Sequence, residues 1–249
     1  VTGVQTCALP IWSAKVEDIQ VYLLEPHHPF YWFSRKQIYG FEDDIDRFVY
    51  FCRAAMEFVY KSSLKPDILH LHDWPTSLCA VLYKEMYQPL GLYLQGIVLT
   101  IHNLAYQGKC RISSISRSGL KGEELLNIEK LQDPLEPFLA NILKAGILYS
   151  DVVTTVSPSY EKETLDSLGE NLTPYLKKKK KNYQGILNGI DLNYWNPKTD
   201  PYLPFHYQTS NHAEGKALNK AFLQKSLGLS IENVPLFCTV SRLVEQKNP

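Results

Sequence analysis

Short apolar runs of strand length alternate with stretches of helical periodicity along most of this chain. That alternation predicts βαβ units and a mainly parallel sheet joined by right-handed crossovers. The apolar runs are IQVYLLE at 19–25, ILHLH at 68–72, GIVLTI at 96–101, DVVTTV at 151–156, QGIL at 184–187 and PLFCTV at 235–240. Between the first two, Ile45, Phe48, Val49, Cys52, Ala55, Met56 and Val59 fall on one helix face. Asp43 and Asp44 stand at that helix's start, where its dipole favours anions. Lys65-Pro66-Asp67 ends the pattern. Further helices are expected over 77–87, 135–149, 159–168 and 215–227.

Composition narrows the class. The chain has 249 residues, 45% hydrophobic and 21% charged, enough to bury a core. Lys plus Arg and Asp plus Glu are 26 each, a balance that argues against a nucleic-acid-coating protein. No run of about 18 apolar residues predicts a membrane span. Five cysteines (Cys7, Cys52, Cys79, Cys110, Cys238) are widely spaced with no CxxC pair, so reduced core thiols are expected rather than disulfides or a zinc site. Aromatics are 12%, which fits packed cores and sugar-facing clefts equally. There is no internal repeat. Lys177 to Lys181 are five consecutive lysines, expected to be a solvated helix end or loop.

The two ends break the pattern. VTGVQTCALPI at 1–11 has no periodicity and no signal-peptide layout; it is similar to a translated sequencing adapter and is set aside from the fold. The chain stops at Gln246-Lys247-Asn248-Pro249, soon after an apolar run. The expectation is a piece of a longer protein, truncated at both ends.

In parallel sheets, ligands sit beyond the carboxyl ends of the strands. The residues that follow each strand are therefore the candidates. Asp73, after ILHLH, can accept hydrogen bonds from a sugar hydroxyl, and Trp74 can offer a sugar an apolar face; equally, Asp73 can cap the next helix and Trp74 can be core. His102 and Asn103 follow GIVLTI and supply donors and acceptors, although a lone His is often a hydrogen-bonded core residue. Asn188-Gly189 is a site element or only a tight turn. Arg242 and Lys247 follow PLFCTV and can neutralise a phosphate-bearing leaving group, or be plain surface charges.

The order of motifs adds what spacing cannot. HLHDW at 70–74, TIHNLAYQG at 100–108, LKAGILYSD at 143–151, TTVSPSYEKE at 154–163, GILNGID at 185–191, WNPKTDP at 195–201, GKALNKAFLQKSLGL at 215–229 and SRLVEQK at 241–247 resemble the bacterial glycogen synthase and plant starch synthase family. IYGFEDDIDRF at 38–48 fits as well, and the wording is closer to bacterial members. The resemblance starts near Val16 and runs to the end.

It implies a GT-B fold, two Rossmann-like α/β domains facing across a cleft, of which residues 12–234 would be the acceptor-side domain and 235–249 the start of the nucleotide-sugar domain. It implies retaining transfer of glucose from ADP-glucose to the non-reducing end of an α-1,4-glucan. No metal or cofactor is implied, nor a nucleic-acid or membrane partner; the location would be bacterial cytoplasm, or a plastid for a plant protein. Residue by residue, Asp73 matches the carboxylate near acceptor and transferred glucose, His102 the histidine beside that glucose, and Asn188 the asparagine of the turn at the sugar. Trp74, Asn103 and Tyr106 match substrate-binding positions, and Arg242 and Lys247 the pair at the diphosphate.

Several departures accompany it. The family's Lys-x-Gly-Gly-Leu-Gly loop and most of the second domain, with its catalytic Glu, are not found in these residues. Pro75 stands where His or Gln is usual, Phe41 where Tyr is common, and Asn248-Pro249 where Gly is expected. Two other functions stay open at this point: a non-catalytic paralogue that only holds glucan, and another GT-B transferase such as a sucrose-synthase-like enzyme.

Overall fold

The computed structural model describes residues 11–26 and 30–241. The expectation for residues 1–11 therefore falls, Ile11 apart, outside the described residues, as do Cys7, Arg242 and Lys247. The chain divides into two compact units, 1–188 and 189–249.

The first unit opens with an antiparallel hairpin of β1 (Ile11–Val16) and β2 (Ile19–Leu24), turned at Glu17 and Asp18, with Glu17 at φ 54°. IQVYLLE is thus a strand, but it pairs locally rather than joining the parallel sheet. α1 (Asp44–Lys61) follows, with Asp44 and Asp46 in its first turn and Val49, Cys52 and Met56 buried. Arg47 is also buried, donating to the Trp32 carbonyl at 3.1 Å and to Asp44 Oδ1 at 2.6 Å, which ties the preceding loop to this helix.

Four parallel strands form the central sheet. They are β3 (Ile68–His72), β4 (Gly96–Ile101), β7 (Val152–Thr155) and β8 (Tyr183–Gly185), side by side in that order. α2 (Asp73–Leu82), extended by a π-helical turn over Tyr83–Tyr87, connects β3 to β4. Between β4 and β7 lie β5 (Lys109–Arg111), α3 (Ile112–Ser116), α4 (Gly122–Leu125), β6 (Leu139–Asn141) and α5 (Ile142–Tyr149). β5 and β6 form a small antiparallel ribbon. α6 (Pro158–Asp166) and α7 (Thr173–Lys178) link β7 to β8. This is the parallel α/β sheet that the alternation predicts, in the Rossmann-like form that the resemblance implies.

β4 shows why one face of the sheet is the core. Ile97, Leu99 and Ile101 are fully buried, while Val98 and Thr100 between them are only partly covered. α2 packs against the buried face between α1 and α5. α5 lies so close that a Cβ on Gly146 would stand 2.5 Å from Ser77 Oγ. Cys52, Cys79 and Cys110 are free thiols in this core, and Cys238 is exposed.

Two helices depart from expectation. The one expected over 77–87 starts four residues earlier, at Asp73, because Pro75 sits in its first turn, where a missing N–H costs nothing. The one expected over 135–149 begins only at Ile142. Pro134 and Pro137 break the preceding stretch, Asp133 Oδ1 accepts from the Leu135 and Glu136 amides at 2.9 Å, and 139–141 is a strand. The Asn141 side chain then caps α5 by accepting from the Lys144 amide at 2.8 Å.

The second unit holds α8 (His212–Ser226), which starts slightly ahead of the expected 215–227. A Cβ on Gly215 would lie 2.3 Å from Tyr207, and Asn219 Nδ2 donates to the Phe205 carbonyl at 2.6 Å, so the 196–208 loop is bound to this helix. PLFCTV is not a strand, contrary to expectation: it has no regular secondary structure, with Phe237 at 91% and Val240 at 96% exposure. A strand needs a neighbour to complete its hydrogen bonds, and none pairs with it among the described residues.

Candidate functional site

The carboxyl ends of β3 and β4 meet at a single junction. Asp73, the first residue of α2, has φ 53°, in the left-handed region that costs a non-glycine residue energy. Its Oδ1 reaches across to the next strand and accepts from the main-chain amides of His102 at 2.7 Å and Asn103 at 3.3 Å. Oδ2 has no partner among the described residues and remains able to accept from a ligand hydroxyl. Asp73 thus begins the helix but does not cap it, contrary to one reading from sequence: the N-cap position is His72 and no side chain caps this helix, while the Asp73 carboxylate fixes the backbone of the loop that carries His102.

That loop is stiff. Asn103 Oδ1 accepts from the Ala105 amide at 3.0 Å, and Leu104 is buried in the core. Gln107 is buried and fully bonded: its amide nitrogen donates to the Leu104 carbonyl at 3.1 Å and to Asn171 Oδ1 at 2.9 Å, and its Oε1 accepts from Asn141 Nδ2 at 2.6 Å. Asn141 also donates to Asp133 Oδ2 at 2.7 Å, and Lys109 Nζ stands 3.4 Å from Asp133 Oδ1. Burial pushes the Asp133 carboxyl up, but Asn141, the two capping amides and Lys109 outweigh it, and it lies below its usual range.

An open cavity of about 490 Å³ lies against this loop. Trp74, Tyr106, Gln107, Lys109, Glu170 and Asn171 line it, with Ile45 and Leu135 at its margins. Trp74 is held edge-on to Phe48, with ring centroids 5.2 Å apart. Gly108, at φ 63°, lets the loop pass behind the indole: a Cβ there would stand 2.6 Å from the ring. Tyr106 is 64% exposed. The combination of an aromatic face, amides and charged groups is what a polyhydroxylated ring needs to stack and hydrogen-bond.

The candidates from sequence are thus partly assembled. Asp73, Trp74, His102, Asn103 and Tyr106 share the end of β3 and β4. Asn188 is exposed, the third residue past β8, and β8 lies two strands from β4, roughly 10 Å away at about 4.8 Å per strand. Sequence reasoning missed Gln107, Lys109, Glu170 and Asn171. Gln107 sits inside TIHNLAYQG and was available; Glu170 and Asn171 enter from a short turn between α6 and α7, and no local pattern marks them. Pro75 is buried, and the Arg35 and Arg47 guanidinium groups lie over the Phe41 ring at 4.5 and 5.6 Å. Phe41 is therefore a packed ring whose face, not its edge, is used.

A family model described as the starch synthase catalytic domain matches residues 2–178. The chain belongs to this family. A glycogen synthase of Protochlamydia amoebophila is 46% identical across 95% of this chain and 49% of its own length. A probable starch synthase 4 of Arabidopsis thaliana is 42% identical across 95% of this chain and 23% of its own. The catalytic domain of starch synthase IV from Arabidopsis thaliana, bound to ADP and acarbose, matches with a TM-score of 0.80 and 42% identity over 88% of this chain and 45% of that one. The chain spans about half the length of this bacterial relative.

Proposed function

We propose that this chain forms the acceptor-side half of a glycogen or starch synthase, which transfers glucose from ADP-glucose to the non-reducing end of an α-1,4-glucan with retention at the anomeric carbon. The observation that carries the reading is the Asp73–His102 junction, whose two segments run on directly into Trp74 and Tyr106, which line the cavity. The presence of ADP and the oligosaccharide acarbose on the related starch synthase IV supports it.

In this reading the glucan end stacks on Trp74 and Tyr106 and hydrogen-bonds to Asn171 and Glu170, with Gln107 holding the loop behind them. Asp73 Oδ2 accepts from a sugar hydroxyl and, as a carboxylate, opposes the positive charge that develops at the anomeric carbon. His102 faces the transferred glucose with its main chain already fixed, so no reorganisation accompanies the charge. Asn188 contacts the sugar from the far edge of the sheet. Arg242 and Lys247 take the diphosphate and stabilise the departing ADP, with no metal or cofactor required. The 12–234 segment serves the acceptor and 235–249 begins the nucleotide-sugar domain. Among the described residues no helix is long and apolar enough to cross a membrane; we place the protein in bacterial cytoplasm, or a plastid if the source is a plant.

The test is transfer of labelled glucose from ADP-glucose to glycogen by a protein carrying both halves. His102→Ala is expected to lower kcat by about a hundredfold or more, the usual scale for a group acting on transition-state charge, with glucan affinity kept. A protein that binds glucan, never transfers glucose and ignores His102→Ala would instead be the non-catalytic paralogue.

A further inference from the structure

Three imidazoles stand in a row on the partly open face of the sheet. The His70 and His72 rings stack with centroids 4.5 Å apart, and those of His72 and His102 lie 5.4 Å apart. His72 Nδ1 and His102 Nε2 are 3.1 Å apart, a direct hydrogen bond between the two rings. His70 Nε2 is instead bonded to Thr100 Oγ1 at 2.7 Å, which is bonded in turn to Thr154 Oγ1 at 2.7 Å. The row is built by register. His72 is the Cα partner of Thr100, so it projects beside the residue two places before His102 on the neighbouring strand. No group of three His, Cys, Asp or Glu among the described residues is arranged to hold a metal ion.

We infer that His72 is a positioning residue for His102: its Nδ1 holds the His102 ring through Nε2 and confines it to one orientation and one tautomer. A bond between two neutral imidazoles needs one nitrogen that carries a proton and one that does not. Donation from His72 Nδ1 puts both protons on Nδ1 and donation from His102 Nε2 puts both on Nε2, so the bond couples the tautomers of the two rings. Asp73 fixes the main chain of His102 and the residue before it fixes the ring, so adjacent residues of one strand–helix junction clamp both parts of the same residue. The groups facing His72 are His70 and Asp73 from its own strand end and His102 from the next. Partial burial, then His70 and His102, hold the His72 imidazole below its usual range, against the pull of Asp73. His72 is therefore neutral at pH 7 to 8 and keeps the single proton or lone pair that the bond requires.

The functional weight of the inference rests on the proposed role of His102, but its test does not. Long-range ¹H–¹⁵N spectra of the 249-residue chain at pH 8 report which nitrogen of each ring carries the proton. The expected result is one fully protonated and one bare nitrogen on His102. In His72→Phe both should move toward the averaged value of exchanging tautomers. His72→Asn, whose amide reaches the place of Nδ1, should restore the fixed pattern. An averaged His102 ring in the unsubstituted chain, or one unchanged by His72→Phe, overturns the inference. Should His72→Phe fail to fold, His72→Ala takes its place: averaging of the His102 ring in that variant supports the clamp, and an unchanged ring overturns it. In a protein with both halves, His72→Phe should then lower kcat for glucose transfer by about ten- to a hundredfold, as misplacement of a reacting group does, with glucan binding unchanged. A fixed tautomer without that loss would leave the clamp standing and remove the role proposed for His102.

Discussion

Two residues at the site hold backbone that their neighbours require. Gly108 combines φ 63° with the Trp74 ring directly behind it, so Gly108→Ala meets both a strained dihedral and a contact of 2.6 Å. We expect it to destabilise the chain by about 1–3 kcal/mol and to weaken maltooligosaccharide binding by displacing the indole. Urea denaturation and calorimetric titration would show this; unchanged midpoint and affinity would mean that the loop relaxes freely. Asp73 is the complementary case. Asp73→Asn keeps the oxygen that accepts from the His102 amide, whereas Asp73→Ala removes it and leaves φ 53° strained. Asp73→Ala should cost about 1–3 kcal/mol, the usual penalty for unpaired polar groups, and the His102 amide should exchange with solvent faster. Asp73→Asn should leave that amide protected. Equal protection in both variants would show that something other than the carboxylate shields it.

At the scale of elements, the ribbon of β5 and β6 is bound to the site loop through Asp133, Asn141 and Gln107. The Asp133 carboxyl lies below its ordinary value in the folded chain. A depressed carboxylate contributes stability that is full above its unfolded value, about 3.9, and is lost as pH falls through the folded one. Asp133→Asn should therefore show a smaller loss of unfolding free energy between pH 5 and pH 3 than the unsubstituted chain, measured by denaturant titration. Identical losses would mean that Asp133 is not linked to folding in that window. These same elements show what local pattern can and cannot reveal. The span of β4 is read directly from GIVLTI, because alternation within a strand records which face is buried. α1 is read from its apolar stripe. β6 is hidden, because its three residues gain their identity from β5, thirty positions earlier, and the helix expected from Leu135 is one that two prolines forbid. The site divides in the same manner. Asp73 and His102 are legible because both follow neighbouring strands, while Glu170 and Asn171 arrive through the packing of α6 and α7, which no nearby residue encodes.

At the scale of the whole molecule, the family relation covers about half of a bacterial glycogen synthase. Glycosyl transfer by a two-domain enzyme needs the acceptor, the sugar and the diphosphate held together, and positioning of that kind accounts for a large share of the rate. In the proposed function the groups that the geometry brings near each other, Asp73, His102 and the Trp74–Tyr106 cavity, are those given to the acceptor and the sugar. In the same proposal the diphosphate belongs to Arg242 and Lys247, which lie outside the described residues. The 249-residue polypeptide should accordingly bind acarbose or maltoheptaose, with heat that disappears in Trp74→Ala, yet transfer no measurable glucose from ADP-glucose to glycogen. Joined to the second half of a family member, it should regain transfer, and that activity should fall with His102→Ala. Turnover by the 249-residue chain near the rate of the joined protein would show that one half suffices for catalysis. Loss of oligosaccharide binding together with loss of transfer would show instead that the acceptor cavity itself depends on the other half.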